Sequence, residues 1–183
     1  MRFRFAALLG ACVALAPLAF ASADTAPTYP KPPKPDFTSV KFLVGTWACS
    51  SKSSRRPAAV LSTETYALDS TGYYLVQTTT SKGSPWFPYA SVTTDMITYD
   101  SQIKQWADVT TGSLGAYGLS MSPGWSDGKW VWHPVNNTPY FDVASFTDYT
   151  ITKVSDTKWT AISGFKTKAG KSVSVADTCT KSS

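Results

Sequence analysis

Tyr117-Gly118-Leu119-Ser120-Met121, the turn Ser126-Asp127-Gly128 and the run Lys129–His133 together decide how this chain folds. Within 117–121 the odd positions are apolar and the even ones small, a period of two that suits a strand with unlike faces. Asp-Gly between two such runs is the chemistry of a tight hairpin turn. The same pattern extends outward in both directions. Runs rich in Thr, Val, Ser and aromatic residues cover Val40–Ser50, Val60–Leu68, Tyr73–Ser81, Ser91–Tyr99 and Gln105–Thr111. After His133 they resume within Phe141–Val154, then at Lys158–Lys166 and Ser172–Thr180. Ser70-Thr71-Gly72, Lys82-Gly83-Ser84-Pro85, Ser155-Asp156-Thr157 and Ala169-Gly170 supply the turns between them. Helix-forming residues at helical spacing are scarce. About ten short strands joined by hairpin-length connections predict an all-β, antiparallel, up-and-down β-barrel, because closure removes both unpaired edges. A β-sandwich is the competing architecture. A short N-terminal helix fits Phe37–Leu43, just before the first strand.

The ends of the chain read differently. Arg2 and Arg4 precede an apolar stretch from Phe5 to Phe20, and Ala21-Ser22-Ala23 has the small-x-small pattern of a cleavage site. Residues 1–23 are therefore expected to be a signal peptide, with a mature start at Asp24 and no membrane span after cleavage. Leu9-Gly10-Ala11-Cys12 resembles a lipoprotein box, but apolar residues continue well past Cys12. Residues 24–36 hold five prolines and read as an extended linker. The barrel domain is expected over 37–183, in a periplasmic or secreted protein.

Charge narrows the partners. The formal net charge is +5, and removing Arg2 and Arg4 lowers it to +3. The remaining basic clusters, Lys31/Lys34 and Arg55/Arg56, are short and surround no nucleic-acid motif, so nucleic acid is not an expected partner. Of the three cysteines, Cys49 and Cys179 remain after cleavage. In an oxidising compartment the simplest state is a disulfide tying the first strand to the last; two buried thiols are the alternative.

A family resemblance rests on three stretches. Val44-Gly45-Thr46-Trp47-Ala48-Cys49 resembles the Gly-x-Trp opening of lipocalin-like, or calycin, barrels. Tyr99-Asp100-Ser101-Gln102-Ile103-Lys104-Gln105-Trp106 is similar to the Tyr-Asp hairpin of bacterial lipocalin-like families, including DUF1579-type and nitrobindin-like proteins. Gly124-Trp125-Ser126-Asp127-Gly128-Lys129-Trp130-Val131-Trp132 resembles their Gly-Trp, Asp-Gly turn and aromatic strand. The resemblance implies that Trp47 plugs the closed end of the barrel. A typical lipocalin covers that Trp with an Arg near the final strand. This chain has no Arg after Arg56, which leaves Lys166, Lys168 or Lys181 for the role. Nitrobindin-like barrels hold haem through a His near the domain's end. The single His here is His133, mid-chain before Pro134, so any haem ligation would fall to a residue off the family's pattern.

These readings set the functional expectations. A small apolar or aromatic molecule carried in the barrel is the leading one, with Tyr99, Trp106, Tyr117, Met121 and Trp132 lining the cavity and Trp86 and Phe87 at its mouth. A filled barrel working through surface loops, as an inhibitor or host-contact module, is the alternative. Glu64, Asp95 and Asp108 fall within strands, where a carboxylate points either to solvent or into a polar cavity, and a pair sharing a cavity could act as acid and base. No spacing pairs them. No nucleophile with a partnering base, phosphate loop, metal-ligand cluster or calcium loop is evident, so no catalytic residue, metal or obligatory cofactor is expected.

Overall fold

The computed structural model describes residues 29–85, 88–137 and 142–182, with only the backbone at Asn137. The expected signal peptide, Trp86 and Phe87 lie outside the described residues. Contacts divide the chain into two units, Met1–Pro32 and Pro33–Ser183. Among the described residues, the regular structure lies in the second unit.

Among the described residues, twelve antiparallel strands follow a short helical segment: β1 (Gly45–Ser53), β2 (Val60–Leu68), β3 (Leu75–Ser81), β4 (Ser91–Asp100), β5 (Gln105–Gly112) and β6 (Tyr117–Ser122), then β7 (Trp125–Ser126), β8 (Lys129–Asn137), β9 (Val143–Phe146), β10 (Tyr149–Ser155), β11 (Lys158–Thr167) and β12 (Ser172–Lys181). Ten of them form the expected barrel. The ring runs from β1 through β6 in sequence, then β8, β10, β11 and β12, which pairs back onto β1. The β8–β10 pairing, with Tyr149 opposite Trp132 and Ile151 opposite Trp130, completes it. β7 and β9 are accessory, so the stretch within 141–154 contributes two strands instead of one. Asp127 (φ 51°) and Gly128 (φ 74°) both adopt left-handed backbone in the β7–β8 hairpin, as an Asp-Gly turn requires. The short helix is a six-residue 3-10 segment, Thr38–Leu43, which begins as Asp36 accepts the Thr38 N–H at 2.9 Å. It is too short to carry α-helical hydrogen bonding along its length, and tertiary packing of Val40 and Leu43 holds it.

That segment closes one end of the barrel, and the aromatic residues fill the space above it. Trp47, Trp130 and Trp159 are fully buried, with Tyr66, Leu75, Ile97 and Ile151 beside them. Trp106 meets Trp130 edge-on at 5.6 Å, and Trp130 meets Trp132 at 4.6 Å. Trp47 is part of this floor, where its indole N–H donates to the Leu43 carbonyl at 2.6 Å. Lys181 is the lysine that covers it, with Nζ 5.2 Å from the ring centroid and 3.1 Å from the Phe42 carbonyl.

Strand β6 is turned opposite to the sense that its hydrophobicity suggests. Gly118 and Ser122 are buried, whereas Tyr117 is 56% exposed. The reason is volume. Ser122 lies opposite Trp106 across the β5–β6 ladder, and small inward residues leave room for the indoles. Gly124 follows the same logic, since a Cβ there would stand 3.2 Å from Trp106 Nε1.

Candidate functional site

Two-residue alternation carries the inward faces of the strands from the aromatic floor to the other end of the barrel, where their chemistry changes. On β1, Trp47 and Cys49 give way to Ser51; on β2, Tyr66 gives way to Glu64, Ser62 and Val60. β3 and β4 continue with Gln77, Thr79, Ser81, Asp95, Thr93 and Ser91. β5 presents Asp108 and Thr110, and β12 presents Asp177 next to Cys179. The upper lumen is therefore built from hydroxyls and carboxylates. A cavity of about 290 Å³ opens there, with Glu64, Asp177, Cys49 and Thr79 in its wall. Arg56, from the loop after β1, and Lys82, from the loop after β3, also line it. Those loops stand at the end of the barrel away from the Trp47 plug.

Cys49 and Cys179 are disulfide-bonded and directly opposite in the β1–β12 register, 4.1 Å apart at Cα. A Glu64 carboxylate oxygen and the two sulfurs lie within 4.8 Å of one another. A disulfide offers no thiolate, so the trio is not a metal-ligand set in this state.

Four carboxylates share this lumen, and each is held above its ordinary pKa. Glu64 is 8% exposed. Burial is the main cause of its rise to about 7; the charge of Asp177 adds to it, while the Tyr66 hydroxyl, donating to Oε2 at 3.2 Å, opposes it. Gln77 Nε2 donates to the same oxygen at 2.9 Å. Burial likewise raises Asp95, against a Thr110 hydroxyl donating at 2.5 Å. Asp108 is raised by burial and then by Asp95, and its buried Oδ1 accepts no hydrogen bond among the described residues. Asp177 is raised by burial, with a Ser51 hydrogen bond pulling the other way. Burial also lifts Tyr66 and Tyr149 well above the ordinary tyrosine value, so both remain neutral donors.

This arrangement has a pH signature. Between the ordinary value of 4.5, where Glu64 ionises in the unfolded chain, and about 7, where it ionises in the fold, the folded state alone keeps the proton. Stability therefore falls as pH rises through that window, by roughly 3 kcal/mol from this group. Urea midpoints of the wild type and Glu64→Gln at several pH values test this. The variant is expected to lose less stability than the wild type between the two ends of the window, and an unchanged difference would refute the assignment.

The expected site residues scatter. Trp106 and Trp132 belong to the packed floor. Tyr99 lies directly opposite Trp106 in the β4–β5 register, 37% exposed, with its ring 5.6 Å from that indole. Tyr117 and Met121 stand on the outer wall, where Met121 faces His133 across the β6–β8 ladder. None of these five lines the cavity. His133 is 53% exposed and pairs through Nδ1 with Asp148 at 3.0 Å. A residue so placed does not fit an axial ligand for a haem inside the barrel.

The three strand carboxylates singled out by the sequence, Glu64, Asp95 and Asp108, do converge. Asp177 is the residue that sequence reasoning missed. The signal was available, because an inward Cys179 places Asp177 inward by a period of two.

No family model and no curated protein matches the sequence. Among solved structures, the chain is similar to a protein of unknown function from the DUF3598 family of Nostoc punctiforme, with a TM-score of 0.48 and 15% identity. The match covers 78% of this chain and 49% of that one, so this chain spans about half the length of that protein.

Proposed function

We propose that this barrel is a periplasmic or secreted binding protein whose ligand is a small polar amine, zwitterionic amines fitting best. The carrying observation is the lining of the cavity. Glu64 and Asp177 stand in its inner wall, surrounded by Ser51, Ser62, Thr79, Ser81 and Ser91, while Arg56 and Lys82 come from the loops at its mouth. An ammonium group directed inward would meet two carboxylates in a partly desolvated site, where charge-assisted hydrogen bonds are strongest. An acidic group at the ligand's other end would meet the two cations. About 290 Å³ lies at the small end of ligand pockets and suits a metabolite more than a lipid.

The apolar or aromatic ligand expected from composition has less support from this lining, because the indoles that would have held it pack against one another instead. The filled-barrel alternative accounts for the floor but not for the open upper lumen. Export is supported by the disulfide and by the N-terminal pattern. Among the described residues no helix is long and apolar enough to cross a membrane.

Calorimetric titration with γ-aminobutyrate, putrescine and indole tests the reading. The two amines are expected to bind, and indole is not. Glu64→Gln and Asp177→Asn should each weaken amine binding roughly tenfold to a hundredfold. Affinity should rise between pH 5.5 and pH 8, because Glu64 must lose its proton, near pH 7, to pair with an ammonium. Binding of indole with no response to either amine would overturn the proposal.

A further inference from the structure

The cavity wall includes one half of the disulfide. Cys49 lines the cavity and is 5% exposed, whereas Cys179 is wholly buried against Trp159 in the adjacent β11 register. One sulfur is therefore approachable from the lumen and its partner is sealed. The buried carboxyl of Glu64 lies within 4.8 Å of both. Tyr66 and Gln77 hold that carboxyl in place, and Asp177 and Asp95 face it from β12 and β4. A purely mechanical crosslink needs none of these features.

We infer that Cys49–Cys179 is a redox-exchanging disulfide that small thiols reach through the cavity, with Glu64 as the proton donor to the leaving sulfur. A low-molecular-weight thiol, as its thiolate, attacks Cys49 Sγ in line with the S–S bond. A new S–S bond forms between the reagent and Cys49, the protein S–S bond breaks, and its electron pair goes to Cys179 Sγ. Glu64 gives its proton to that sulfur and becomes a carboxylate. A second thiol then displaces Cys49 from the mixed disulfide. Two small thiols are oxidised to one disulfide, and the protein disulfide is reduced to two thiols. Protonation matters because a thiolate leaving into a buried, acidic wall is poorly solvated, and a neutral thiol is not. The separation of up to 4.8 Å is bridged by one water or by a modest side-chain rotation. The same cavity serves the proposed amine site, but the exchange does not depend on that reading.

The native protein is incubated below its unfolding transition with 2-mercaptoethanol, or with a polymer-linked thiol too large for the cavity, quenched with iodoacetamide and analysed by mass. Loss of the disulfide is expected to be first order in the small thiol and roughly tenfold slower with the bulky one. Glu64→Gln should slow exchange roughly a hundredfold and remove its inflection near pH 7. Ser62→Leu, opposite Cys49 on β2, narrows the approach and should slow the small thiol without altering Glu64. Cys179→Ser should form a mixed disulfide at Cys49 with small disulfide reagents. A rate independent of thiol concentration and equal to the global unfolding rate would overturn the inference. Unchanged rates in both Glu64→Gln and Ser62→Leu would do the same. Amine binding in the same samples is read separately, so either proposal can fail alone.

Discussion

Replacing Cys49 and Cys179 together by alanine is expected to lower the unfolding free energy by about 4–5 kcal/mol. The crosslink spans a sequence separation of 130 residues, nearly the whole barrel, and joins the strands that close it. Most of its contribution comes from restricting the unfolded chain, so the folded spectrum should change little. Urea unfolding gives the readout. The midpoint should fall, and the slope should rise because the uncrosslinked unfolded state exposes more surface. A midpoint within error of the wild type would show that the β1–β12 hydrogen-bond ladder alone holds the closure.

Trp47→Ala is expected to cost roughly 3–5 kcal/mol, by emptying a fully buried position of the floor. Three contacts go together: the edge-on packing with Trp159 at 6.1 Å, the indole N–H bond to Leu43, and the Lys181 cover. Trp47→Phe separates them. It keeps most of the bulk but leaves the Leu43 carbonyl without its donor, and about 1–2 kcal/mol of the loss should remain. Lys181→Met keeps the aliphatic stem while removing the charge over the ring and the bond to Phe42, for roughly 1 kcal/mol. Thermal unfolding of the three variants orders them. A Phe substitution as damaging as Ala would mean that the indole N–H, rather than its volume, seals the floor.

The strand carboxylates show how far local information reaches. Glu64 and Asp95 sit on alternating, Thr-rich strands, and nothing in either segment says which side faces in. Their meeting depends on registers such as Trp47 opposite Glu64 and Gln77 opposite Asp95, which set positions along the barrel axis for residues far apart in sequence. The apolar positions of 117–121 mislead for a related reason. Hydrophobicity marks two unlike faces, but the volume of Trp106 across the ladder decides which one turns inward. Residues such as Tyr117 and Met121 were therefore legible as strand residues and not as outer-wall residues.

The ten strands of the barrel, the Asp-Gly hairpin and barrel closure were readable from sequence, because they rest on local periodicity and turn chemistry, and the Cys49–Cys179 pair was readable because two cysteines remain once the signal segment is set aside. The choice of Lys181 over Lys166 and Lys168, the packing of the tryptophans into a floor, and the gathering of Glu64, Asp95, Asp108 and Asp177 above it belong to the tertiary structure alone. Closure is the physical reason. Once ten strands share one interior, space and desolvation are allotted among residues from the whole chain, and no single strand carries the outcome in its own sequence.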